Sequence, residues 1–205
     1  AYEIYQCDWS SDVCSSDLKI FSFYGKYGFS QVPFTDIRYN KKLGGGILND
    51  AGCYPICASR IIFGKEPKSA FYMSAIDKKS GVDEKGILFL KYGDDEFAHM
   101  EFGYGLSYQS KYEVWGDKGH LHLSRAYNIP SDMKASLLVE SSNKKEILIK
   151  PTNHFRLMFD SFSKQLLNLA KAHFDFESDL LLQAKVMDAA RNSRLKSRPV
   201  MLDDL

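Results

Sequence analysis

The chain has 205 residues, with 27 Lys plus Arg against 26 Asp plus Glu, a formal net charge of +1, and 44% hydrophobic residues. That length and apolar content suffice for one globular domain with a sizeable core, and the interspersed charge excludes the basic footprint that nucleic acid or an anionic membrane requires. No stretch approaches the roughly 20 apolar residues of a bilayer span, and no charged start followed by an apolar run marks a secretory signal, so the expected compartment is the cytoplasm.

In chain order, the first eighteen residues stand apart. Asp8 to Leu18 reads DWSSDVCSSDL, a Ser and Asp cluster with no apolar period. The run resembles an in-frame translation of a short-read sequencing adapter. Residues 1–18 are therefore expected to be a non-native or disordered leader, with the authentic domain at 19–205 and an upstream portion missing. The cysteines form two local pairs, Cys7 with Cys14 and Cys53 with Cys57, too few for a disulfide scaffold, so reduced thiols are expected.

Lys19 to Ser30 is aromatic-rich and predicts a strand, with Phe21 and Phe23 on one face. After Pro33 and Arg38, the glycines Gly44, Gly45 and Gly46 open an apolar segment, Ile47 to Phe63. Ile47, Leu48, Ala51, Tyr54, Ala58, Ile61 and Ile62 recur there at helical spacing, before Gly64 and Pro67 as stops. Strands are predicted near Lys68 to Ile76, Gly86 to Tyr92, Glu96 to Gly103, Tyr108 to Trp115 and His120 to Leu123, as an antiparallel meander. Two more follow at Ala135 to Glu140 and Lys145 to Lys150. A helix is expected from about His154 to Ala172, and a second after Ser178 with a core stripe of Leu181, Ala184, Val186, Met187 and Ala190. Pro199 to Leu202 closes as a short strand. The predicted class is α+β, a mostly antiparallel open sheet covered on one face by helices.

The chemistry concentrates in LGGGILNDAGCYP, Leu43 to Pro55. Consecutive glycines at a helix start allow positive φ and close approach, and exposed N–H groups there attract negative charge. Asp50 and Tyr54 are four apart, so a helix projects both toward one bound molecule. A phenol can hand a proton to a developing alkoxide if a neighbouring cation lowers its pKa, and a nearby carboxylate can orient it. Tyr54 as a core tyrosine and Asp50 as a first-turn acid are the structural alternatives. Cys53 and Cys57 lack a nearby His and read as small core residues. His120 and His122 share a strand face but lack a third ligand, so no metal site is expected.

GGGILNDAGCYP, followed by SRIIFGKEP, resembles the signature in the C-terminal domain of the glucose–fructose oxidoreductase, inositol dehydrogenase and MocA family. SYQSKYEVWGDKGHL and HFRLMFDSF extend the likeness over about Lys19 to Leu205. The resemblance implies an NAD- or NADP-dependent sugar oxidoreductase in which a separate Rossmann domain holds the cofactor. The C-terminal domain then supplies part of the substrate pocket and an oligomer interface through its sheet. The family's D-x-x-x-H/Y pair falls on Asp50 and Tyr54, with the phenol exchanging a proton with the sugar oxygen. The family's catalytic lysine has no counterpart, since Lys65-Glu66-Pro67 has the wrong order and position. The dinucleotide fingerprint is also absent, because Gly44 to Gly46 lacks its spacing, so no residue here is assigned to the cofactor and the fragment is expected to be inactive alone.

The tyrosine form and the RYNKKL segment resemble the branch acting on nucleotide-linked keto sugars. For that branch Arg38 would contact a phosphate or hydroxyl, and Tyr108, Lys111 and Arg125 would line the sheet side of the pocket. His154, at a helix start, reads either as reaching the pocket or as a capping-region histidine. A non-catalytic binding or dimerisation module of the same fold is the alternative. For oligomerisation, Tyr104, Tyr108, Tyr112 and Trp115 are the expected exposed patch.

Overall fold

The computed structural model describes residues 19–167 and 174–205. The expected leader, residues 1–18, and the far end of the helix expected to reach Ala172 lie outside the described residues. Nine strands form one sheet: β1 (Ile20–Phe29), β2 (Ser69–Ile76), β3 (Asp83–Lys91), β4 (Phe97–Tyr104), β5 (Gln109–Gly116), β6 (Gly119–Ser124), β7 (Ala135–Glu140), β8 (Lys144–Ile149) and β9 (Val200–Met201). Helix α1 spans Cys53–Phe63, α2 His154–Leu166 and α3 Phe176–Lys196. The α+β class and nearly every expected strand hold.

The strand order is β8-β7-β6-β5-β1-β4-β3-β2-β9. The expected single meander is corrected here. Local hairpins make two meanders, β2–β4 and β5–β8, and β1 enters between them, antiparallel to β5 and parallel to β4. A parallel neighbour cannot come from a tight turn, so this pairing is invisible to local turn signals. The shared face of Phe21 and Phe23 is also corrected. The ladder to β5 slips between Ile20 and Ser22, leaving Phe23 fully buried while Phe21 is 46% exposed against Phe97 and Trp115.

Period two then sorts the sheet. Phe23, Tyr27, Leu88, Met100, Phe102, Tyr112 and Leu123 face the helices and are buried. Gly25 lies on this face because a Cβ there would come within 2.8 Å of Pro55 Cβ; its absence lets α1 sit down on the sheet. α3 covers the β2 end through Val186, Ala189, Ala190 and Ser193. Leu181 and Ala184, expected in that stripe, are instead exposed, because only the C-terminal part of α3 reaches the sheet. The opposite face is open: Met73, Ile87, Phe89, Phe97 and Trp115 each keep more than a third of their surface in solvent. Of the aromatic residues expected to be exposed, Tyr104 and Tyr112 are buried on the helix side, whereas Tyr108 and Trp115 are exposed. No helix among the described residues is long and apolar enough to cross a membrane.

Candidate active site

The segment before α1 is a series of short turns rather than a plain helix start. Asp36 accepts from the Arg38 amide and Asn40 from the Lys42 amide, each opening a 3₁₀ turn. The glycine amides are all engaged locally: Gly44 donates to the Lys41 carbonyl, Gly45 to Asn40 and Gly46 to Arg38. Gly46 has φ 119°, and a Cβ on it would lie 2.1 Å from Asp83 Oδ1. The three glycines therefore serve a crowded turn. With no amide left over for phosphate, they do not fit a dinucleotide cradle, and the anion-attracting role expected of them is withdrawn.

A π turn, Leu48–Gly52, runs without a break into α1, so the helix expected from Ile47 to Phe63 is present with its first turn widened. Such turns re-aim side chains within a helix. Asp83 Oδ2 accepts from the Leu48 amide at 3.1 Å and from the Tyr72 hydroxyl at 2.6 Å, pinning the π turn to β2 and β3. Asp83→Ala, which leaves both donors without their acceptor, is expected to cost about 2 kcal/mol in a denaturant titration.

On this support the structure brings Arg38, Asp50 and Tyr54 together. Arg38 Nε donates to Asp50 Oδ2 at 2.8 Å, and its Nη1 donates to both Asp36 oxygens at 3.1 Å. Asp50 is thus held by a cation that is itself held by a second carboxylate. Tyr54 is 42% exposed, its ring set edge-on to Tyr27 at 5.3 Å and 6.1 Å from Tyr127, which in turn lies 5.4 Å from Tyr27. Burial pushes the Tyr54 phenol up, Cys53 and Asp50 add to the rise, and Arg38 pulls against it. The expected lowering by a cation is corrected: desolvation outweighs Arg38, so Tyr54 is a protonated phenol at neutral pH. Burial likewise raises Tyr27, to about 12.

The remaining expected residues fall differently. Arg125 lies over the Tyr108 ring, 4.6 Å from its centroid, and adopts a left-handed φ of 61°. Tyr108 is close enough to Tyr27 to raise its pKa, which puts this stacked pair at the rim of the tyrosine group. Lys111 does not join them: it pairs across the sheet with Lys26 and binds Glu113 at 3.0 Å, on the open face away from α1. His154 opens α2, where burial lowers its pKa. Cys53 and Cys57 are free, half-buried thiols, each pushed up to about 11 by burial. Sequence reasoning missed Tyr27, Tyr127 and Asp36; period two from Phe23 would have put Tyr27 on the helix side.

A half-exposed phenol, an anchored carboxylate and an aromatic wall form a surface able to bind a polar ring and exchange a proton with one of its oxygens. Comparisons with known proteins show what the chain is similar to. The chain is 34% identical over 131 residues to dTDP-3,4-didehydro-2,6-dideoxy-alpha-D-glucose 3-reductase of Saccharopolyspora spinosa, covering 63% of this chain and 39% of that protein. It is 27% identical over 179 residues to the reductase of the same name from Actinomadura kijaniata, covering 84% and 52%. The crystal structure of KijD10, a 3-ketoreductase from Actinomadura kijaniata in complex with NADP and TDP-benzene, superposes with a TM-score of 0.79 at 25% identity, covering 86% of this chain and 54% of that one. The chain thus spans about half the length of these relatives or less. Residues 19–122 match the GFO/IDH/MocA C-terminal domain, and the chain belongs to that family.

Proposed function

We propose that this chain is the substrate-binding half of an NAD(P)-dependent oxidoreductase that acts on the keto group of a nucleotide-linked sugar. The observation that carries the reading is the Arg38–Asp50 bond beside a protonated, half-exposed Tyr54. Tyr54 gives its proton to the sugar oxygen as charge develops there, and Asp50, fixed by Arg38, orients the reacting group. The rim pair Arg125 and Tyr108 offers a guanidinium for a phosphate and a ring face for a base. The nicotinamide cofactor belongs to a nucleotide-binding half, since the glycine turn here has no free amides for it, and the chain alone is inactive. The test joins the chain to such a half and follows NADPH oxidation with a TDP-linked 3-keto sugar. Turnover supports the reading, and a correctly folded fusion that binds NADPH without turning over sugar nucleotides or free sugars would overturn it.

We further propose that the open sheet face is where copies associate. Apolar Met73, Ile87 and Phe89 lie together there by register, beside internally paired charges. Phe89→Glu is expected to convert an associated species to monomer in sedimentation equilibrium, while leaving the far-UV circular dichroism unchanged.

A further inference from the structure

Three residues with side chains adopt a left-handed backbone among the described residues: Arg125 at φ 61°, Asn128 at 46° and Ser197 at 51°. Ser197 caps α3, an ordinary use of that conformation. The other two lie in the β6–β7 connection, where no helix end requires it. Left-handed residues outside caps gather where a segment is held in one shape for a purpose.

Ser110 of β5, only 5% exposed, holds this segment in shape. Its hydroxyl accepts from the Tyr127 amide and donates to the Tyr127 carbonyl, both at 2.8 Å, and its carbonyl accepts from the Ala126 amide at 2.8 Å. Ala126 and Tyr127 are thereby fixed to β5, with the Tyr127 ring in the tyrosine group. The chain bends on either side of them, at Arg125 and at Asn128.

Each bend presents a polar side chain. Arg125 lies over Tyr108 at the rim. Asn128 is exposed, yet its side chain hydrogen-bonds toward the Tyr27 hydroxyl: burial pushes Tyr27 up to about 12 and this bond pulls against it. Tyr27 is also the ring on which Tyr54 sits edge-on at 5.3 Å. A carboxamide has two N–H donors and a carbonyl acceptor, so one N–H given to Tyr27 leaves the second N–H and the carbonyl for a ligand. Asparagine tolerates the left-handed backbone, which suits it to the turn. The turn alone does not call for an exposed amide aimed at the ring beside the reacting phenol.

We propose that Asn128 is a specificity-determining residue, binding an oxygen of the substrate's sugar through its outward N–H. The proposal rests on the reading of the Tyr54 group as a sugar-nucleotide site. Asn128 then stands between the sugar over Tyr54 and the phosphate and base at the Arg125–Tyr108 pair, which is the order of the parts in such a ligand. Because Ser110 fixes the bend beforehand, little ordering of this segment is left for binding to impose.

Calorimetric titration of the full chain with TDP-glucose and with TDP tests this in wild type, Asn128→Gly and Asn128→Ala. Glycine keeps the left-handed backbone and removes the amide, whereas alanine removes the amide and strains the bend as well. Asn128→Gly is expected to weaken TDP-glucose roughly 3–10-fold, the effect of one lost hydrogen bond, and to leave TDP unchanged. Asn128→Ala is expected to weaken TDP-glucose at least as much. Unchanged TDP-glucose affinity in Asn128→Gly means that the residue serves the turn alone and overturns the proposal, whatever the alanine variant does. Equal weakening of both ligands overturns it too, since the amide then reads the nucleotide. A wild-type chain that binds neither ligand overturns the sugar-nucleotide reading along with it.

Discussion

Tyr54→Phe is expected to lower turnover by roughly 10²–10⁴ in the chain joined to a nucleotide-binding half, the range a positioned proton donor contributes. The loss falls in kcat with KM little changed, because the ring that packs on Tyr27 is kept and only the hydroxyl is removed. Thermal stability is expected to stay the same, as Tyr54 is 42% exposed and its hydroxyl can reach water. The pH profile gives a second readout. Under the proposed proton transfer the active form for reduction is the protonated phenol, so rate is lost as pH rises through its pKa, and that pKa lies above the ordinary phenol value. The limb therefore falls in the alkaline range. Arg38→Met removes the cation that pulls the pKa down and frees the Asp50 charge that pushes it up, so the limb should move further up. Movement the other way would take Tyr54 out of that step.

The largest stability loss is expected at Arg60. Its side chain is 4% exposed, near the end of α1, donates to Glu66 at 2.7 and 2.8 Å and to Gln183 at 3.0 Å, and forms an ion pair with Asp179 at 3.0 Å. Gln183 in turn donates to the Cys53 carbonyl at 3.0 Å, so one guanidinium ties both ends of α1 to α3. Arg60→Ala leaves two carboxylates without a cation. Removing one partner of a fully buried pair costs about 3–5 kcal/mol. Glu66 and Asp179 keep 33% and 38% of their side-chain surface in solvent and can rehydrate, so the expected loss is lower, about 2–3 kcal/mol. In calorimetry this lowers Tm by roughly 5–10 °C. A shift within error would mean the clamp is no stronger than a surface ion pair.

The periodic parts of this fold were legible in the sequence. Alternation located eight of the strands closely enough to fix which residues share a face, and helical spacing with Gly64 as a left-handed cap located α1. The pairing of Asp50 with Tyr54 was legible as a spacing, but its chemistry was not. Whether Arg38 or desolvation governs the phenol depends on Tyr27 of β1 and Tyr127 of the β6–β7 connection, which only the fold brings to Tyr54. The π turn escapes a period of 3.6 because it changes the period. Arg60 reads as an ordinary last-turn cation, and only the docking of α3 makes it a buried clamp. Tyr104 and Tyr112 looked like surface aromatics for the same reason: what covers them is remote in sequence.

The position of β1 bears on how the molecule assembles. Each meander can form from neighbours in the chain, but the seam between them exists only through Ile20–Phe29, whose parallel partner β4 begins at Phe97. Closing so long a loop is slow compared with hairpin formation, so docking of this strand is the natural rate-limiting event in folding. Until it occurs, β4 and β5 each present an unpaired edge, and two half-sheets with complementary open edges can pair between molecules as readily as within one. Adding the Ile20–Phe29 segment as a separate peptide during refolding would compete for that slot, making the first strand both the keystone of the sheet and its most direct handle for inhibition.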